Sequence, residues 1–146
     1  MKSNRRKSGS AIIELGPALY IFLILVFFPA LDLIGMAAQF TCAWYHNHLM
    51  LEELSVRKKS DGANGTVHNE VYGKFAAQGI GQFVGIQSCT DTVAYTDANP
   101  PAVPVATVSC TSVINGKPFI SLPVIGFTQT NWTISSEATR EDTNNN

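Results

Sequence analysis

Three cysteines, three histidines and one early glutamate are the residues of this 146-residue chain whose types and spacing suggest chemistry. Cys89 and Cys110 stand symmetrically about Asn99-Pro100, so a hairpin turning there would set them opposite each other. In an oxidising compartment such a pair closes into a disulfide worth about 3 kcal/mol by loop entropy. Cys42 is then left over, as a packing residue. A metal site would have to be gathered from Cys42, His46, His48 and His68. On a helix Cys42 and His46 share a face, four apart, whereas His48 points away from His46. No second cysteine pair and no carboxylate–histidine spacing completes a ligand set, so neither a metal nor a cofactor is expected. A nucleophile elbow, a phosphate loop and a recognisable acid pair are also missing, and an enzyme is not expected.

Glu14 matters because of its surroundings. Residues 15–31 carry no charge, and eleven of them are Leu, Ile, Val or Phe. At roughly 0.3–0.6 kcal/mol each, these favour a bilayer by about 3–7 kcal/mol. With residues 11–13 and 34–40 the stretch exceeds the roughly 20 residues needed to span. A carboxylate at the edge of such a helix is costly and asks for a partner. Glu14 lies four residues after Ser10, about one helical turn, within the positive end of the helix dipole.

Charge is distributed to match. The chain has 10 Lys+Arg against 11 Asp+Glu, and charged residues make up only 14%. Lys2, Arg5, Arg6 and Lys7 crowd the first nine residues without an acid, which leaves the remainder acidic. A nucleic-acid-binding surface is therefore excluded, since the basic cluster sits at one tip. By the positive-inside rule the amino terminus faces the cytoplasm and the residues beyond about 40 lie outside. Three readings of this start compete: a cleaved secretory signal with KSNRRK as its basic region, an uncleaved signal anchor, and a third that depends on Gly9 and Glu14.

The arrangement RRKSG followed by SAIIELGPALYIFLILVFF resembles the leader of type IV pilin-like precursors, and within them the TadE-like minor pilins of Tad pili. The resemblance covers residues 5–40. Gly16-Pro17 departs from it, standing closer to the glutamate than the family's usual proline. The resemblance implies that a prepilin peptidase cuts between Gly9 and Ser10. The apolar segment then remains as a stem, and Glu14 is the carboxylate required for assembly. It implies as partners that peptidase, other pilin or pseudopilin subunits, and the inner membrane with its pilus assembly platform. The implied location is the inner membrane, with the head extracytoplasmic, followed by a filament.

The elements that would position these residues follow from periodicity. Ala37, Phe40, Trp44, Leu51 and Leu54 recur at helical steps, with Gln39, Asn47, Glu52 and Glu53 turned elsewhere. A helix over 11–57 would be about 70 Å long. Arg57, Lys58 and Lys59 suit its end, and residues 60–65 read as a stop and loop. Residues 66–85 give a weaker helix carrying four glycines. From Gln87 onward Thr, Val, Ser and aromatics predict strands at 88–96, 103–114, 118–122 and 126–137. Turns are expected at 98–101 and at Asn115-Gly116, and a frayed tail at 142–146. The expected fold is α+β: a leader at 1–9, a transmembrane stem helix at 10–60, and a small β-rich head at 61–146 with a disulfide-closed hairpin. A filament subunit is the leading functional reading. A membrane-tethered binding module with a β-rich head is the alternative.

Overall fold

The apolar run winds into one helical rod. In the computed structural model, which describes residues 6–75, 79–99, 102, 105–118 and 129–141, α1 spans Arg6–Phe22 and α2 spans Phe28–Val56. Between them Leu23–Phe27 form a π-helical turn. Pro29 explains it. Proline has no N–H to give the Leu25 carbonyl, and in the wider turn just before it the Phe28 N–H reaches the Leu23 carbonyl. Pro17 sits inside α1 without ending it.

The 44 residues Ile13–Val56 extend about 66 Å, twice the hydrocarbon thickness of a bilayer. Among the described residues this is the one helix long and apolar enough to cross a membrane. Its two halves differ. Ile13, Leu15, Leu19, Phe22, Leu25 and Val26 are all exposed, and burial begins at Asp32.

Beyond α2 the chain turns at Arg57, whose guanidinium pairs with Glu53 and with Glu70, both at 2.8 Å. The segment expected as a loop at 60–65 instead contains a short helix, α3 (Lys59–Ala63), closed by Gly65 in the left-handed region at φ 73°. Helix α4 (Thr66–Phe75) occupies the first half of the weaker predicted helix. A second piece, α5 (Ile80–Phe83), follows Gly79, whose backbone at φ −113°, ψ −144° is not helical.

Three strands complete the described fold: β1 (Ile86–Thr96), β2 (Thr107–Gly116) and β3 (Thr130–Thr139), antiparallel in the order β1-β2-β3. They match three of the four expected strands. The fourth, at 118–122, lies outside the described residues but for Pro118, as do the first residues of the leader and the tail at 142–146. Alternation divides the sheet into two faces. Thr90, Thr92, Thr111, Thr133 and Ser135 face water, and Thr111 and Ser135 bond across strands at 2.9 Å. Val108, Cys110 and Ile114 face inward under α2. One apolar cluster joins Met50, Leu54, Val67, Val71 and Val108, and another joins Ala43, Phe75, Ile86 and Ile114. Together they fix α2 and α4 on the inner face.

Three expectations need correction. Cys89 and Cys110 are free thiols, not a disulfide. Cys89 pairs in register with Ile114, and Cys110 with Val93, so the two cysteines sit four positions apart along the ladder. At about 3.3 Å per residue that is about 13 Å of strand, beyond the roughly 7 Å limit between bridged Cα atoms. Asn115-Gly116 is not a turn but the last paired positions of β2, opposite Asn131 and Thr130. Glycine stands there because a Cβ would fall 2.6 Å from Gln39 Oε1. Finally, the expected apolar stripe faces inward at Leu51 and Leu54 but is rotated outward in its first part. Phe40 and Trp44 are exposed, while Gln39, His46 and Asn47 are at most 2% exposed. The sheet accounts for the rotation, since it offers hydrogen-bond partners to the polar face and α2 turns that face inward.

Candidate functional site

A polar seam runs between α2 and the sheet, and its residues recur on the helix at heptad steps: Asp32, Gln39 and His46, with Asn47 beside them. Seven residues are nearly two full turns, so all three lie in one column. Gln39 closes the end nearest the exposed half of the rod. Its Nε2 donates to the Val84 carbonyl at 2.8 Å and to the Lys117 carbonyl, and its Oε1 accepts from the Thr130 hydroxyl at 2.6 Å. Asn47 lies deeper, under β2 and β3. Its amide donates to Cys110 O, Ser112 Oγ and Ile134 O, and its oxygen accepts from Ser136 Oγ.

His46 leads to the chemistry. On β1, Cys89 and Asp91 are two residues apart and so point to the same face, toward His46. His46 Nε2 lies 3.0 Å from Asp91 Oδ2 and 3.2 Å from Cys89 Sγ. Cys89 Sγ is 3.5 Å from Asp91 Oδ1. His68, from the first turn of α4, brings its Nδ1 to 2.6 Å from Asp91 Oδ2. The side chains of His46 and Asp91 are 0% and 1% exposed, whereas His68 is 28% exposed. His68 stacks on Tyr72 four residues on, with ring centroids 5.4 Å apart. Outside the cluster, a cleft of about 530 Å³ is lined by Met50, Gly62, His68, Asn69, Cys89 and Asp91 among others.

Electrostatics follow from this geometry. Burial alone would raise the Asp91 carboxyl, but hydrogen bonds from His46, Ser112 and His68 outweigh it and hold the group at about 2. Burial and the neighbouring Asp91 carboxylate push the Cys89 thiol far upward, which favours its protonated form. Burial, with the same carboxylate nearby, raises Cys110 to about 11. The His46–Asp91 pair is not arranged as a nucleophilic triad. There the imidazole would bridge through its two nitrogens, whereas here Nε2 meets both groups and the buried Nδ1 has no hydrogen-bond partner among the described residues.

Of the four residues considered for a metal set from the sequence, the fold brings together His46 and His68 and separates the other two. Cys42 packs in the apolar cluster with Ala43 and Phe75, and His48 faces outward to Glu52 at 3.2 Å, stacked on Trp44. Asp91, central to the cluster, escaped the sequence reading. Its signal was a carboxylate two residues from a cysteine on the inward face of a strand. Gly9 and Ser10 lie within α1, and Glu14 follows one turn later with its side chain exposed. Comparison with protein-family models, with curated proteins and with solved structures found no match to this chain.

Proposed function

We propose that this chain is a structural subunit of a pilin-like filament or pseudopilus, held in a membrane by its rod before assembly and packed through that rod afterwards. The observation that carries the reading is the division of one continuous helix. Its first half, from Ile13 to the residue before Asp32, keeps its apolar side chains outside the fold, while its second half is roofed by the sheet. A tether alone needs about 20 apolar residues. Here exposed apolar side chains continue past that length as Leu33, Ile34, Phe40 and Trp44, and a strip of this kind is satisfied by neighbouring rods. The outward face of the sheet is Thr- and Ser-rich and suited to water, which fits a head displayed outside the bundle.

In this reading a prepilin peptidase cuts after Gly9, making Ser10 the first residue of the rod. Glu14 then stands one turn in, placed to meet the α-amino group of an adjacent subunit. The intact mass of the protein recovered from its native membrane tests the proposal. Loss of residues 1–9 is expected. Retention of the whole leader would overturn processing and leave a membrane-tethered binding module as the better account.

A further inference from the structure

The cluster around Asp91 has more contacts than hydrogen bonds can use. A neutral imidazole nitrogen carries either one proton or one lone pair. His46 Nε2 nevertheless lies within bonding distance of both Asp91 Oδ2, at 3.0 Å, and Cys89 Sγ, at 3.2 Å. Only one of those contacts is satisfied at a time. A single cation between them satisfies both. The charge balance agrees, because Asp91 is buried and its ion-pair partners among the described residues are His46 and His68, with no Lys or Arg. A carboxylate, a thiolate, two neutral imidazoles and a divalent ion sum to zero, which removes the cost of a buried net charge.

We propose that His46 Nε2, Cys89 Sγ, Asp91 Oδ2 and His68 Nδ1 form a tetrahedral site for a divalent cation of the zinc class. The ligand atoms of His46, Cys89 and Asp91 already lie within 4.8 Å of one another. A tetrahedral zinc ion with bonds of about 2.0–2.3 Å separates its ligand atoms by about 3.3–3.6 Å. The 3.0 and 3.2 Å edges are within a few tenths of that. His68 meets this group only through Asp91, at 2.6 Å, and stands outside the three-residue set, so as fourth ligand it must swing toward His46 and Cys89, a movement its 28% exposure on the short helix α4 allows. One thiolate and two imidazoles favour zinc over magnesium or calcium, whose ligands are oxygens. Four protein ligands leave no open position, so the ion is structural rather than catalytic. Binding releases the Cys89 thiol proton, and the proton on each nitrogen that becomes a ligand moves to the other ring nitrogen or to solvent.

The ion would tie three elements together, namely α2 through His46, α4 through His68 and β1 through Cys89 and Asp91. It would thus lock the head to the rod, whatever the rod packs against.

The test uses the full chain in detergent, stripped with a chelator and titrated with cobalt(II) alone and then with zinc(II). Tetrahedral cobalt bound to a thiolate gives intense visible d–d bands and a sulfur-to-metal charge-transfer band in the near ultraviolet. One equivalent of cobalt should produce both, and zinc should abolish them. Cys42→Ala, which alters a cysteine outside the cluster, should leave both unchanged. Cys89→Ala should remove the charge-transfer band. His68→Gln changes a partly exposed position and should weaken zinc binding on the order of 100-fold, with circular dichroism checking that the variant is folded. A folded wild-type protein with only weak octahedral cobalt bands would overturn the site. So would a His68→Gln variant with unchanged zinc affinity.

Discussion

The Asn47 amide of α2 and the Ser112 hydroxyl of β2 meet at 3.0 Å in the interior, with neither side chain more than 2% exposed. This contact belongs to a set in which one Asn side chain serves two strands, through Cys110 O on β2 and Ile134 O and Ser136 Oγ on β3. Truncation leaves several of those groups without a partner or water. Asn47→Ala should therefore destabilise the head by about 3 kcal/mol, combining unmet polar groups with a small cavity. Asn47→Asp should cost more, because a carboxylate would face carbonyl oxygens that need a donor. Urea unfolding of the two variants in detergent checks the order. A finding that Asp is the better tolerated of the two would mean that the amide is not the donor assigned here.

Gly116 and Gln39 form a second interlock. A Cβ on Gly116 would meet Gln39 Oε1 at 2.6 Å, its Cδ at 2.9 Å and Thr130 Oγ1 at 3.0 Å. Gln39 is fully buried and held by three hydrogen bonds, so it has little room to move. Gly116→Ala should cost about 2 kcal/mol through this clash. Gly73→Ala on α4, where nothing lies within 4 Å of an added Cβ, should stabilise by about 0.5–1 kcal/mol. Thermal melts of the pair separate close approach from backbone freedom as the reason for each glycine.

What the sequence disclosed and what it withheld divide along the same physical line. The rod was legible because an uncharged apolar run has few alternatives, and three strands were legible from β-branched and alternating residues. Helix rotation was not. Phe40 and Trp44 look like core by type, yet α2 buries Gln39, His46 and Asn47, because the sheet supplies the missing hydrogen bonds. Strand register was also hidden. A turn centred on Asn99-Pro100 is locally sensible, but the ladder is centred two residues later, which shifts Cys89 from Cys110 to Ile114. His46 and Asp91 are 45 residues apart and meet only once helix rotation and register are both known.

That register makes a direct prediction about the thiols. With Cys89 opposite Ile114 and Cys110 opposite Val93, peptide mapping without reductant should find no Cys89–Cys110 link, even after purification in air. Alkylation in denaturant with chelator should label all three cysteines. In the native protein Cys110 should label slowest. It is fully buried, whereas Cys89 is partly exposed and borders the cleft, so access sets the order. A recovered Cys89–Cys110 peptide would require the two strands to slide by four residues, which would also move Asp91 away from Ser112.

Glu14 offers the sharpest separation of tether from filament rod. It stands on α1 with its side chain exposed, at the edge of the uncharged run. In a lone membrane anchor that position is close to the headgroups, where a carboxylate costs little and its removal changes little. In a bundle of rods the same carboxylate is taken out of water beside an adjacent subunit's amino terminus, and its loss leaves that cation without its countercharge. Glu14→Ala and Glu14→Gln should both be processed and remain in the membrane. Both should fall by about tenfold or more in sheared surface filaments, the equivalent of about 1.4 kcal/mol per assembly contact. Gln preserves size and polarity, so equal defects in the two variants would assign the effect to charge. Wild-type recovery of either variant in filaments would remove Glu14 from assembly and leave the exposed apolar strip as the rod's means of packing.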